Sequence, residues 1–222
     1  MKFAVIGLGA FGYNIAKTLF EKGNEVLAID IDKEKIEKIK GFTSHAIKMD
    51  SCYKENLSSL GIHEMDVVVV CLGPEMEASI LTVLYLKEIG ARRIVAKALT
   101  EDHEKILESI GATEVIFPEK DMAVKIGLKL GLPNLLEYLP LASGIIIQEI
   151  AAPKKFISKS LKDLDLRNKY GVQIIAIKEL VPEKIIFIPK ADFVIKDNDI
   201  LIMIGEEKHL AKINSKKTPK SF

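Results

Sequence analysis

Cysteine is scarce and net charge is almost absent from this sequence of 222 residues. Its two cysteines, Cys52 and Cys71, cannot form a disulfide framework, which excludes the small disulfide-stapled folds of secreted proteins. A formal net charge of +1 provides no long-range field for nucleic acid, which disfavours that class of partner. The composition is globular instead, with 48% hydrophobic and 28% charged residues, enough for one large domain or two small ones.

Long apolar runs are missing as well. No run approaches the roughly 20 residues of a membrane-spanning helix, and Met1–Gly7 begins directly on an apolar strand rather than on a signal peptide. We therefore expect a soluble, cytoplasmic protein that reaches a membrane only by docking on another protein. Cys71 ends an apolar run and is expected in the core. Cys52 lies near a predicted loop and is either an inert side chain or a reactive thiol. The sequence marks no neighbouring base that would activate the thiol, which favours the inert side chain.

The first 133 residues alternate short apolar runs with amphipathic stretches, which is typical of strands that alternate with helices. The predicted strands are Lys2–Ile6, Glu25–Asp30, Ser44–Met49, Asp66–Leu72, Arg92–Lys97 and Glu114–Phe117. The predicted helices are Ala10–Lys22, Asp32–Lys40, Glu75–Ile89, Glu101–Ile110 and Glu119–Leu130, with left-handed caps expected at Gly23, Gly61, Gly90 and Gly111. Because such crossovers are right-handed, residues 1–133 are predicted to form a Rossmann-type, doubly wound α/β domain around a parallel sheet.

The pattern changes after residue 133. Gly131–Pro133 is expected to stop the last helix, and Asn134–Leu141 is predicted to be a linker. Further strands are predicted at Ile145–Ala151, Val172–Ile177, Lys184–Ile188 and Ile200–Ile204. Residues 134–222 are therefore predicted to hold a linker and a second, smaller β-rich α+β domain, of a size that often relies on a partner or a dimer mate.

A glycine-rich string, Gly7–Gly12, has the form G-x-G-x-x-G and includes Ala10 and Phe11. It follows an apolar strand and opens an amphipathic helix, which is the context of a dinucleotide-binding turn. In that turn Gly7 permits the tight bend, Gly9 lets the backbone approach a phosphate, and Gly12 lets the helix pack closely on the strand. The N–H groups at the helix start would then face the phosphates.

Asp30 closes the second predicted strand, next to Ile31, at the position where this fingerprint has an acidic residue for the ribose hydroxyls. Its charge would repel a 2′-phosphate, which disfavours NADP. The alternative is that the glycines serve packing alone and Asp30 is a solvated strand end. The alignment of strand, glycines and acid favours the nucleotide site.

Other polar or small residues fall at strand ends, where ligands bind in such sheets. Asp50 and Ser51 could meet the adenine edge, and Gly73 allows close approach beside the switch point. Lys97 could face phosphate, and Glu119 starts the last helix. Each has an alternative: Asp50 as a turn residue, Lys97 as a surface lysine, and Glu119 as a charge at a helix N-terminus.

A catalytic cluster is not apparent. The histidines His45, His63, His103 and His209 stand apart in the sequence, and His103, one turn into a charged helix, is expected at the surface. The second domain has no His–Asp pair, no nucleophile with a base and no metal-ligand spacing, although a dehydrogenase usually brings its acid and base on a substantial substrate domain. We therefore predict a protein that is not an enzyme.

The sequence resembles the regulatory subunits of Trk/Ktr-type potassium uptake systems, whose architecture is called RCK, over nearly the whole chain. The resemblance rests on Gly7–Gly12, Asp30 and Met49–Ser51, on Arg93–Ala98 and above all on Ile116–Ala123, which ordinary Rossmann dehydrogenases lack. In the second domain it rests on Leu161–Arg167 and Asp197–Leu201.

This resemblance implies a subunit that binds ATP, ADP, AMP or NAD(H), forms dimers and octameric rings, and gates a potassium-translocating membrane protein at the inner face of the cell membrane. Glu119 matches a family acidic residue near the phosphates that contacts a divalent cation in some members. Many members have arginine where this chain has Ala10, so we expect weaker discrimination for ATP here. The second domain resembles a ligand-sensing module, which in some relatives binds a cyclic dinucleotide. An NAD-dependent oxidoreductase and a stand-alone nucleotide sensor remain the alternatives.

Overall fold

The chain builds one parallel and one antiparallel sheet. The computed structural model describes residues 1–73, 76–132 and 134–214, and the chain divides into the units Met1–Asp121 and Met122–Phe222. The dividing point lies inside a helix, whereas the sequence-based boundary lies after it, at residue 133; that boundary remains a prediction.

The first unit contains the doubly wound sheet that the sequence predicted. Its strands are β1 (Lys2–Ile6), β2 (Glu25–Asp30), β3 (His45–Lys48), β4 (Val67–Val70), β5 (Ile94–Lys97) and β6 (Glu114–Ile116). The helices are α1 (Ala10–Glu21), α2 (Lys33–Ile39), α3 (Lys54–Ser58), α4 (Met76–Ile89), α5 (Glu101–Ile110) and α6 (Pro118–Gly131), the last of which contains the dividing point. All neighbouring strands pair in parallel in the order β3-β2-β1-β4-β5-β6, which is the Rossmann order.

The valines of β4 show why this sheet is covered on both sides. All four are buried, and alternate side chains point to opposite faces of a strand. Val68 and Val70 belong to the apolar cluster that includes residues of α3, α4 and α5, whereas Val67 and Val69 belong to the cluster with residues of α1 and α2. A strand buried on both faces was predicted here and is confirmed.

His103 is buried, which corrects the expectation that it lies at the surface. Its side chain is fully buried in the first turn of α5, where its backbone N–H donates to the capping hydroxyl of Thr100. Nδ1 accepts the N–H of Leu99 at 3.3 Å, and burial lowers the pKa of His103, so the neutral ring is favoured. The acidic neighbours of His103 in the sequence suggested that its side chain is exposed to solvent. In the structure it lies on the buried face of the helix, the same face as Leu107.

The second unit is the smaller β-rich α+β domain that was predicted. Its strands are β7 (Leu135–Pro140), β8 (Ile145–Ala151), β9 (Gln173–Leu180), β10 (Glu183–Phe187) and β11 (Ile200–Glu206), paired antiparallel in the order β10-β9-β11-β8-β7. Its helices beyond α6 are α7 (Leu161–Leu164), α8 (Leu166–Tyr170) and α9 (Glu207–Asn214). No helix among the described residues has both the length and the apolar character needed to cross a lipid bilayer.

The predicted linker Asn134–Leu141 is wrong for most of its length. Leu135–Pro140 forms β7, an edge strand that pairs with β8, and Leu135 is buried in the core of the unit. The adjoining turn residues and the proline at the end of the segment, Pro140, made the sequence read as a linker. The strand is stabilised by its pairing with β8 rather than by a local alternation of apolar and polar residues.

Candidate nucleotide-binding site

A cavity of about 300 Å³ opens at the carboxyl ends of the parallel strands, where the strand order reverses between β1 and β4. Ligands of doubly wound sheets bind at this switch point. The sequence-predicted site residues that line the cavity are Gly7, Gly9, Asp30, Ile31, Asp50, Ser51 and Gly73. The other lining residues are Ile6, Lys35, Met49, Cys52, Cys71, Leu72 and Ala78.

The glycine turn connects β1 to α1, and its backbone is so tightly packed at two positions that a side chain would not fit there. Gly7 has φ +91°, and a Cβ on it would lie 2.8 Å from the carbonyl oxygen of Cys71. A Cβ on Gly12 would lie 1.9 Å from the carbonyl oxygen of Gly7. Gly9 is different, since a Cβ there would meet nothing within 4 Å and would point into open space. The first two close approaches hold the turn together, and the third position leaves room for a ligand.

The amino end of α1 offers hydrogen-bond donors to that space. Gly9 is the N-cap, and among the described residues no side chain caps the helix or places an acid in its first turn. The first N–H groups of a helix have no partner within the helix, and the helix dipole favours an anion there. This end of the cavity is therefore suited to phosphate groups.

Asp30 lies beside the glycine turn, and backbone N–H groups hold its carboxylate in place. Its Oδ2 accepts the N–H of Leu8 at 2.6 Å, and its Oδ1 accepts the N–H of Asp32 at 2.8 Å. The residue is 6% exposed, so it is not the solvated strand end that the alternative reading required. An ionised carboxylate has further lone pairs, which can accept ribose hydroxyls.

Asp50 and Ser51 line the cavity beyond the end of β3. Asp50 Oδ1 accepts the N–H of Cys52 at 2.9 Å, so Asp50 also has the turn role that the sequence left open. Ser51 Oγ accepts a hydrogen bond of 3.0 Å from the Thr82 hydroxyl of α4, and both side chains are buried. This contact fixes Ser51 beneath the cavity.

Lys97 and Glu119 are close to each other but are not among the cavity-lining residues. Lys97 Nζ lies 2.5 Å from Glu119 Oε1 and 5.7 Å from the centre of the Phe11 ring. The hydrogen bond from Lys97 lowers the pKa of Glu119. The Lys97 side chain is only 14% exposed, which argues against a simple surface lysine. Of the remaining predicted residues, Ala10 is exposed at the start of α1 and Gly12 is buried beneath the turn.

Sequence reasoning missed Lys35 and assigned no site role to Cys71. Lys35 could have been found, because it follows the acidic strand end by five residues and lies in the first turn of the next helix. Cys71 was correctly expected in the core; burial raises its pKa to about 12, against an opposing effect of Lys97, so its thiol stays protonated at neutral pH.

The described residues contain no group of three or more His, Cys, Asp or Glu side chains that could hold a metal ion. Glu119 instead makes the ion pair with Lys97. A divalent cation at Glu119 would therefore need most of its ligands from elsewhere, as Mg²⁺ does when nucleotide phosphates complete its coordination.

A parallel sheet in Rossmann order, a glycine turn and a buried acid at the end of β2, followed by a small antiparallel sheet, define a Rossmann-type α/β unit joined to a smaller β-rich unit. Family models match both parts: a TrkA-N domain over residues 3–118 and a TrkA-C domain over residues 146–217. The chain belongs to the family of the Ktr system potassium uptake proteins. It is 42% identical to Ktr system potassium uptake protein C of Bacillus subtilis over 97% of this chain and 96% of that protein. It is 41% identical to protein A of the same organism over 96% of each.

Solved structures show the same fold at low sequence identity. The GsuK RCK domain has a TM-score of 0.65 and 15% identity, covering 99% of this chain and 48% of that one. The GsuK channel bound to NAD has a TM-score of 0.54 and 21% identity, covering 95% of this chain and 37% of that one. This chain thus spans less than half the length of each of these two chains.

Proposed function

We propose that this chain is the cytoplasmic, nucleotide-binding regulatory subunit of a potassium uptake system and controls transport through a membrane partner. The observation that carries the nucleotide part is one cavity at the switch point that joins the glycine turn, the open amino end of α1 and the buried Asp30 carboxylate. The potassium part rests on family membership along nearly the whole chain.

The ligand is an adenine nucleotide: AMP, ADP, ATP or NAD(H). Phosphates bind the N–H groups at Gly9 and the start of α1, and the ribose hydroxyls donate to Asp30. Asp50 and Ser51 lie toward the adenine. NAD binding by the GsuK channel supports this class of ligand. Because Ala10 provides no charge for a terminal phosphate, ATP is discriminated only weakly from ADP.

Lys97 and Glu119 respond to the phosphate end of the ligand. Phosphate oxygens compete with Glu119 for the Lys97 ammonium, which is 2.5 Å from the carboxylate. Glu119 would then be available as one ligand of a divalent cation, whose other ligands would have to come from nucleotide phosphates and water.

The second unit has its own candidate ligand site. A cavity of about 190 Å³ is lined by the cations Lys162 and Arg167, by one acid, Asp165, and by apolar side chains such as Leu166 and Ile174. Cations beside apolar walls suit a ligand with phosphates and bases, such as a cyclic dinucleotide.

Regulation works by population shift. A nucleotide changes the state of an assembly only if it binds one conformation better than another. Each tenfold difference in affinity is worth about 1.4 kcal/mol per site, and the contributions of several sites in one assembly add.

The nucleotide site is tested by thermal unfolding of the protein with AMP, ADP, ATP, NAD, NADH, NADPH and cyclic di-AMP in turn. A ligand at a hundredfold excess over its Kd stabilises the folded state by about 2.7 kcal/mol. We expect clear shifts with ADP and ATP of similar size and a smaller shift with NADPH. No shift with any mononucleotide or dinucleotide would contradict the proposal, a strong preference for ATP would contradict the role of Ala10, and turnover of NADH with a substrate would favour an oxidoreductase.

Self-association is supported by an exposed apolar face on α6. Met122, Ile126 and Leu130 follow one another at four-residue intervals on one face of the helix and are 54%, 49% and 81% exposed, and no residue of this helix is buried within the chain. Exposed apolar patches of this kind mark interaction sites. We infer that the face is covered by a second copy of the chain in a dimer, from which larger rings assemble.

The assembly is tested by the mass in solution. The wild type is expected to run as a dimer or larger species of the 24.7 kDa chain, and Leu130→Glu is expected to shift it toward monomer. Val181→Glu, an equally exposed apolar position at 80% in the second unit, is the matched control and keeps the wild-type mass. A monomeric wild type, or equal loss in both variants, would contradict the role of α6.

A further inference from the structure

Lys35 brings a positive charge to the ribose end of the cavity. It lies in the first turn of α2, whose N-cap Asp32 accepts the N–H of Glu34 and so fixes where the helix begins. Ile36 and Ile39 turn the other side of this helix into the core. Lys35 is left facing the cavity, where it is a lining residue together with Asp30.

The Lys35 ammonium lies across the Asp30 carboxylate. Its Nζ is 3.5 Å from Oδ1 and 3.4 Å from Oδ2, nearly equidistant from the two oxygens. Each of these oxygens already accepts one backbone N–H, from Asp32 and Leu8 respectively. A carboxylate has about four lone-pair positions. The ammonium therefore stands at the positions that the backbone leaves for a ligand.

Ribose hydroxyls need those same positions. We propose that Lys35 is a specificity-determining residue of the nucleotide site, an inference that rests on the proposed function: it competes with the 2′- and 3′-hydroxyls for Asp30 and offsets the repulsion between Asp30 and a 2′-phosphate. Lys35 thus narrows the discrimination between adenine nucleotides with a free ribose and those with a phosphorylated ribose.

The size of the effect follows from exposure. The Lys35 side chain is 41% exposed and the Asp30 side chain 5%, so the ammonium can swing into solvent when a ribose binds. Exposed or half-exposed ion pairs change an equilibrium by up to about fivefold. Lys35 changes preference between two ligand classes rather than deciding whether a nucleotide binds.

The test compares AMP with adenosine 2′,5′-bisphosphate, titrated calorimetrically into wild type and Lys35→Met, which keeps the aliphatic stem and removes the charge. We expect AMP to bind about two- to fivefold more tightly and the bisphosphate to bind weaker by a similar factor, so that their ratio moves by about tenfold. Lys35→Arg keeps the charge and the wild-type ratio. Lys38→Met removes the same charge from an exposed position of the same helix and leaves the ratio unchanged.

A ratio that moves less than twofold, or equal weakening of both ligands, would overturn this role of Lys35 while leaving the nucleotide site intact. Failure of wild type to bind either ligand would also overturn it. In that case ATP, titrated in the same buffer, separates the two ideas: ATP binding keeps the proposed function, and no binding removes both.

Discussion

Replacing Gly12 with alanine is expected to lower the free energy of unfolding by about 3 kcal/mol or more. The new Cβ would lie 1.9 Å from the carbonyl oxygen of Gly7, and it would also meet Cys71 Cβ at 3.1 Å. Neither the backbone of the turn nor the buried cysteine can move away freely, so the turn between β1 and α1 must open. Urea unfolding followed by circular dichroism measures the loss.

Gly9→Ala is the matched control in the same motif. Its φ of −62° suits any residue, and a Cβ there meets nothing within 4 Å, so stability should stay within about 0.5 kcal/mol of wild type. Nucleotide affinity should nevertheless fall at least tenfold or so, because the methyl group occupies the space through which a phosphate approaches the backbone. A stable Gly12→Ala protein would refute the packing role, and a Gly9→Ala protein with full affinity would refute the phosphate role.

Asp30→Asn is expected to weaken adenine nucleotide binding by about 10- to 100-fold, because ribose hydroxyls lose a charged acceptor. The change also costs stability. The amide has one oxygen, so either Leu8 or Asp32 loses the acceptor of its N–H and faces an NH₂ group instead. A buried donor without a partner costs about 1–3 kcal/mol, which a shift in the urea midpoint would reveal.

Asp32→Asn is the control that distinguishes a direct contact between Asp30 and the ribose from the general effect of losing one negative charge near the site. It removes the same charge two residues away, and asparagine remains a good N-cap for α2, so stability and nucleotide affinity should both stay near wild type. Wild-type affinity in Asp30→Asn would show that the ribose does not bind this carboxylate. Equal losses in the two variants would point to a general field effect.

Features specified by nearby residues could be predicted from the sequence. The four valines of β4 predicted a strand buried on both faces, and the glycines after the helices predicted left-handed caps. The left-handed conformation is confirmed at all four positions, with φ of +80°, +63°, +86° and +118° at Gly23, Gly61, Gly90 and Gly111. Gly61 does not cap α3, however, because that helix ends at Ser58 with Ser59 as its C-cap, and Gly61 precedes a short 3₁₀ turn instead. Local sterics decide each of these positions without reference to distant residues.

Features specified by distant residues could not be predicted. β7 exists because β8 pairs with it, and His103 is buried because the helix face that carries it packs inward. In the candidate site, the strand-end rule predicted Asp30, Asp50 and Gly73 at the cavity, where they lie. It gave no indication that Lys97 would pair with Glu119, since that contact depends on how β5 and α6 meet.

Because β1 lies in the middle of the sheet, its two edges are paired at different times during synthesis. β1 pairs on one side with β2, but its other edge waits for β4, where Phe3 is aligned with Val67. Until Val67–Val70 has left the ribosome, the nascent chain carries an apolar strand with an unpaired edge. Such edges recruit other chains, and parallel sheets with distant pairings form slowly. The same strand order that creates the switch-point cavity therefore leaves the residues before Val67 prone to association with other chains until β4 has been synthesised.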